Sequence, residues 1–129
     1  MNGFIDDIEK LTKENSFFRQ VLFTGEYCQL VLMSLKPGEE IGKEVHESVD
    51  QFFRVDGGKG EVYIDGETKE IKDGFAVVVP AGSEHNIVNT GSVDLKLYTI
   101  YSPPNHPDGT IHKTHKEAME AEEHEHGKD

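Results

Sequence analysis

The most constraining feature of this sequence is its punctuation. From Phe17 to Tyr101, short runs rich in Val, Ile, Leu, Phe and Tyr alternate with turn residues: FFRQVLF, then TGE; YCQLVLMSL, then KPGEE; QFFRV, then DGGKG; EVYI, then DG. ETKEI, FAVVV, HNIVN and LKLYTIY follow, separated by KDG, PAGSE and TGSVD. Gly, Asp, Asn and Pro recur too often to leave room for helical crossovers between strands. The spacing therefore predicts an all-β sandwich or barrel rather than alternating β and α units. Within EVYIDGETKEI, Asp65-Gly66 is a primed-turn pair and predicts a tight hairpin.

Both flanks read differently. Phe4, Ile5, Ile8 and Leu11 recur at helical spacing, which predicts a short helix over residues 2–14, capped by Asn2 and docked on the body or on another subunit. After Tyr101, SPPNHPDGT fits neither helix nor strand. Thr114 and Glu117 then have capping-box spacing at the head of the alanine-containing THKEAMEAEEHEH, which predicts a second helix. A chain of 129 residues is expected to form one domain with its own core. The organisation is thus a helical segment at 1–16, a β-barrel at 17–104, and a loop, helix and tail at 105–129. Neither an internal repeat nor a long low-complexity segment interrupts it.

Charge and cysteine content exclude several functions. A formal net charge of -12 repels nucleic acid and anionic membrane surfaces. The apolar runs are too short for a transmembrane helix, and the acidic, amphipathic N-terminus is unlike a signal peptide. Cys28 is the single cysteine, so an internal disulfide and a cysteine-rich zinc site are both excluded. A buried, reduced thiol is expected there, and a cytoplasmic location fits it best.

One stretch carries chemistry: Glu44-Val45-His46-Glu47-Ser48-Val49-Asp50-Gln51. On a strand, residues two apart share a face, so Glu44 and His46 project together. Gln51 follows across a turn, and His85 opens another strand after PAGSE. Two imidazoles and one carboxylate suffice for a facial metal site with open positions, to which Gln51 adds a neutral oxygen. By spacing alone, an E-x-H pair on a strand fits a solvated face equally well.

The two segments resemble the paired motifs of the cupin family. The second motif, G-x5-P-x-G-x2-H-x3-N, is met in full by Gly74, Pro80, Gly82, His85 and Asn89. The first, G-x5-H-x-H-x3-4-E-x6-G, is met in spacing by Gly38, Glu44, His46, Gln51 and Gly58. The resemblance implies a double-stranded β-helix, or jelly-roll barrel, with one divalent transition metal ion (Zn, Fe, Mn, Ni or Co) in its mouth. The ligands would be Glu44, His46, Gln51 and His85. Here Glu44 stands where the family has its first histidine, and Gln51 where it has its glutamate. The set keeps one negative charge, so the anionic ligand is relocated rather than lost. The resemblance also implies pairing into a homodimer, with FFRQVLF and the N-terminal helix as the contact.

Other residues have weaker claims. Gly74, Pro80 and Gly82 read as backbone devices that place His85, and Asn89 as a turn tie. Phe53 shares a face with Gln51, where it lines a pocket or fills the core. On LKLYTIY, Leu95, Leu97, Thr99 and Tyr101 share one face, and Lys96, Tyr98 and Ile100 the other, so one of Tyr98 and Tyr101 points inward. His106 lies in a loop that either stays on the surface or folds over the mouth, with His112 and His115 following. His124 and His126 sit in the tail, where they can scavenge metal. Arg19 and Arg54 are the only arginines, too few for a phosphate cluster. The function expected is action on a small polar metabolite, a carbohydrate or a carbonyl or carboxylate compound, by Lewis-acid isomerase or lyase chemistry. An Fe(II) dioxygenase and a non-catalytic binding or sensor module are the alternatives.

Overall fold

In the computed structural model, which describes residues 2–126, the period-two runs form two antiparallel sheets. In chain order the elements are α1 (Ile8–Glu14), β1 (Arg19–Thr24), β2 (Gln29–Leu35), β3 (Asp50–Gly57), β4 (Lys59–Ile64), β5 (Glu67–Lys72), β6 (Ala76–Val79), β7 (His85–Val88), β8 (Leu95–Ser102), β9 (Ile111–His112) and α2 (His115–His126). The larger sheet runs β6-β3-β8-β2-β1-β9 and the smaller β5-β4-β7. Glu40 and Glu44 bridge Val88 and His85, so the chain before β3 lies along the free edge of β7. This is the jelly-roll barrel expected from the sequence.

Register explains why one end of the barrel is apolar and the other polar. On β8 the inward residues are Leu95, Leu97, Thr99 and Tyr101, all buried, as strand alternation predicts. Leu35 pairs with Leu95, and Leu97 sits between Met33 and Val55. Thr99 lies between Val31 and Phe53, and Tyr101 between Gln29 and Gln51. The closed end is therefore aliphatic, and the last rung is entirely polar. Val62, Ile71 and Ile87 of the smaller sheet complete the core. Each such side chain, fully buried, stabilises the fold by about 1.5–3 kcal/mol.

Turn chemistry matches the sequence. Asp65 and Gly66 take φ of 44° and 91°, the signature of a primed hairpin turn, with Ile64 paired to Glu67. Gly58 closes the first motif at φ 82°, and a Cβ there would lie 2.6 Å from the Asp94 carbonyl oxygen, so this position admits no side chain.

The flanks bring corrections. α1 starts at Ile8, capped by Asp7, whose carboxylate accepts the Lys10 N–H at 3.1 Å. Asn2 does not cap it: Asp6 accepts the Asp7 N–H, so the preceding residues build the cap rather than a helical turn. Lys96 then ties α1 to the outer face of the larger sheet by donating to the Asn15 carbonyl and to Ser34 Oγ. Cys28 is exposed rather than buried, because GEYC is the β1–β2 turn and the strand begins only at Gln29. β9 has no counterpart in the sequence reading; its two residues pair with Arg19 and Gln20.

At α2, the Glu117 N–H donates to Thr114 Oγ1 at 3.1 Å, and the Glu117 carboxylate accepts the Lys113 N–H at 2.7 Å. That is a capping box displaced by one residue. Ala118 is fully buried and docks the helix. The side chains of His124 and His126 lie outside the described residues. Among the described residues no helix is long and apolar enough to cross a membrane.

Candidate metal centre

The question raised by EVHESVDQ is answered by backbone pairing. The Glu44 N–H donates to the His85 carbonyl at 2.9 Å, and the His85 N–H to the Glu44 carbonyl at 3.0 Å. Two residues further on, the His46 carbonyl accepts the Gly82 N–H at 2.9 Å, and Asp50 Oδ1 accepts the Ala81 N–H at 2.9 Å. The Pro80–Gly82 turn is thus stitched onto the very segment that carries Glu44 and His46. Gly82 takes φ 87°, which the turn requires.

Glu44, His46 and His85 each offer a ligand atom, and these atoms all lie within 4.8 Å of one another. The two imidazole centroids are 5.4 Å apart. His46 Nε2 lies 2.8 Å from Glu44 Oε2, but not in hydrogen-bonding alignment: Nε2 is buried without a hydrogen-bond partner. His85 Nε2 and Gln51 Oε1 are likewise buried and unpartnered.

The opposite ends of these side chains are engaged. His85 Nδ1 donates to the Ser83 carbonyl at 3.1 Å, which leaves Nε2 as a bare lone pair. Gln51 Nε2 donates to Thr99 Oγ1 at 3.0 Å, which fixes its carboxamide and frees Oε1. A buried polar atom left unpaired costs about 1–3 kcal/mol, and here several such atoms cluster beside one carboxylate. A cation satisfies all of them at once, whereas another hydrogen-bond acceptor satisfies none. The donor set therefore fits a divalent transition ion, for which imidazole nitrogen and carboxylate oxygen are suitable ligands.

Burial pushes the Glu44 carboxyl upward, but His46, Arg19 and Glu122 outweigh it and hold the group below the usual carboxylate range. The carboxylate is thus ionised at neutral pH and available as a ligand.

A cavity of about 420 Å³ opens at this point, with Lys43, Glu44, His46, Asn105, His106 and Met119 among its lining residues; Glu122 also borders it. The SPPNHPDG loop does fold over the barrel mouth. Gln29, fully buried, holds it: its Oε1 accepts the N–H groups of Asn105 and His106 at 3.1 and 3.0 Å, and its Nε2 donates to the His106 carbonyl at 2.8 Å. His106 Nε2 lies 3.2 Å from the Tyr101 hydroxyl. Burial, with the nearby Arg19 charge, lowers the His106 pKa to about 3. Burial also pushes the Tyr101 phenol upward, beyond the ordinary range.

The remaining expected residues separate. Tyr98 is outside the pocket: it lies on the outward face of β8 with its ring 6.2 Å from that of Phe52, because inward parity belongs to Tyr101. Phe53 fills the core, fully buried 6.4 Å from the His85 ring, and does not line the cavity. Asn89 ties the β7–β8 turn by donating to the Leu35 and Val93 carbonyls and accepting the Gly91 N–H. His112 Nδ1 meets Arg19 Nη1 at 3.1 Å, and the His115 ring packs edge-on to Phe18.

The sequence reading missed Gln29, Arg19, Met119 and Glu122. Gln29 shares parity with Val31 and Met33, so a polar residue at the inward end of an apolar strand was its only signal. Arg19 is 1% exposed within FFRQVLF, and nothing in that string announces a buried guanidinium.

The family model described as "Cupin domain" matches residues 31–101, more than half of the chain. The chain belongs to the cupin family. This cupin is 48% identical over 127 residues to the uncharacterized protein YrkC of Bacillus subtilis, covering 93% of this chain and 68% of that one. The crystal structure of BH2720 from Bacillus halodurans superposes with a TM-score of 0.89 at 46% identity, covering 91% of this chain and 93% of that one. A shorter match, 38% identical over 80 residues, is to a 5-nitrosalicylic acid 1,2-dioxygenase of Bradyrhizobium; it spans 62% of this chain and 35% of that protein.

Proposed function

We propose that this cupin holds one divalent transition metal ion and acts on a small polar metabolite by isomerase or lyase chemistry. The observation that carries the proposal is the convergence of His46 Nε2, His85 Nε2 and Gln51 Oε1, buried polar atoms without a hydrogen-bond partner, beside the ionised Glu44. Glu44, His46 and His85 would hold the ion, with Gln51 Oε1 as a neutral fourth ligand. When bound, the ion supplies Lewis acidity toward a carbonyl or hydroxyl oxygen.

The chain's own residues do the rest. Ser83 and Thr99 orient His85 and Gln51 through their second polar atoms. The Gln29-bound loop places Asn105 and His106 along the cavity wall. Glu44 serves as ligand and is not free to act as the general base.

Proton-transfer chemistry is tested by following hydrogen–deuterium exchange at the carbon next to the carbonyl in hydroxyacetone and related hydroxy-ketones by NMR. Exchange that requires loaded metal and stops with chelator supports isomerase or lyase chemistry. Saturable binding without exchange points instead to a binding module. The match to a dioxygenase favours a second reading, oxygen-dependent chemistry with Fe(II). Substrate-dependent oxygen uptake by the Fe(II)-loaded protein distinguishes it.

A further inference from the structure

The metal-ligand set leaves unexplained a second group of polar residues behind it. Tyr101 is 2% exposed, pairs in register with Gln51, and meets the His46 ring edge-on at 6.0 Å. The Gln51 amide is itself held by Thr99 Oγ1 at 3.0 Å. The phenol in turn reaches His106 Nε2, with the two rings edge-on at 5.2 Å. A chain of contacts thus runs from Gln51 through Tyr101 to His106, and His106 lines the cavity.

The fold invests heavily in placing that ring. Gln29 holds the backbone of residue 106 on both sides with two hydrogen bonds and that of Asn105 with a third, and its Nε2 is anchored further by Thr24 Oγ1 at 2.9 Å. A neutral His106 ring that accepts the phenol proton at Nε2 carries its own proton on Nδ1. Among the described residues no hydrogen bond engages Nδ1.

We propose that His106 recognises the ligand of this cavity, presenting Nδ1–H to an uncharged hydroxyl or carbonyl oxygen of a small molecule seated over the Glu44–His46–His85 centre. Tyr101 is its positioning residue. The class of ligand follows from charge. The ring is neutral and Glu44 borders the same space, while Lys43, which also lines it, places its ammonium over the Tyr63 ring, so His106 offers a hydrogen bond and no charge. Arg19, whose charge acts on His106, is 1% exposed and already engaged with His112. This inference rests on the metal-binding proposal above.

The test uses full-length protein loaded with Co(II) and titrated with hydroxyacetone, read by visible absorption, with Co(II) affinity measured separately. Wild type should give a saturable response. His106→Ala should weaken hydroxyacetone about tenfold, the size of one lost hydrogen bond, with Co(II) affinity unchanged. His106→Asn, whose amide N–H takes the place of Nδ1–H, should stay within about threefold of wild type. Tyr101→Phe keeps the fold while releasing the ring, and should show an intermediate loss. Acetate should bind wild type and His106→Ala alike. Equal hydroxyacetone affinity across the variants, or no response while Co(II) loads, overturns the role of His106. Failure of wild type to load Co(II) overturns the metal centre itself, and this inference with it.

Discussion

Glu44 and His85 face each other as a reciprocal hydrogen-bonded pair, with N···O distances of 2.9 and 3.0 Å in the two directions. Residues so paired project to the same face of a sheet. A carboxylate at position 44 therefore reaches the same point in space as the imidazole at 85, whichever of positions 44 and 51 carries the charge. This is the geometric basis for moving the acidic ligand without moving the site.

Charge relocation has a direct consequence for affinity. Glu44→Gln removes the only carboxylate from the ligand set and should weaken Zn(II) or Co(II) binding by at least the roughly 10–100-fold typical of losing even an outer partner. Glu44→Gln combined with Gln51→Glu restores the net charge and should recover affinity to within about tenfold of wild type. Chelator competition measures both. A double variant as weak as the single one would show that position 51 does not reach the ion.

His106 links the fold to pH. Its pKa is lowered to about 3 in the folded chain, against an ordinary 6.5, so the unfolded chain binds more protons between those values. Stability from this group is fully present above about pH 6.5 and is lost as pH falls toward 3. Melting of metal-free protein between pH 4.5 and 8 should show a decline in acid that is shallower in His106→Asn. Identical slopes would mean that His106 is not desolvated in solution.

Gln29→Ala removes the three hydrogen bonds that pin the roof loop. At about 0.5–1.5 kcal/mol each, the loss should be roughly 2–4 kcal/mol. Limited proteolysis should then cut within residues 102–110 while the barrel persists. Unaltered stability and protection would show that the loop is held elsewhere.

What was legible in the sequence is what local chemistry determines. Alternation fixed Leu95, Leu97, Thr99 and Tyr101 as one face, Asp65-Gly66 announced its hairpin, and the two motifs pointed to Glu44, His46 and His85 as neighbours. Long-range partners were not legible. Which tyrosine of β8 meets the site depends on which sheet face is inward, and that depends on the other sheet. Gln29 becomes a loop anchor only because residues 105 and 106, remote in sequence, return to it. Cys28 was misjudged because YCQLVLMSL reads as one apolar run, whereas the β1–β2 turn continues through Cys28. β9 is two residues long, too short to leave a period. α2 was expected from its cap, but that Met119 and Glu122 would reach the cavity follows from docking, not from helical propensity.

The most direct test is metal content by elemental analysis after reconstitution with Zn(II), Fe(II), Mn(II), Ni(II) and Co(II) in turn. The full-length protein should carry His124→Ala and His126→Ala to remove scavenging by the tail. The expected result is one ion per chain, lost in both Glu44→Ala and His46→Ala while each variant still melts cooperatively. An ion content unchanged by those substitutions, or no ion with any of the five metals, would contradict a metal centre at EVHESVDQ.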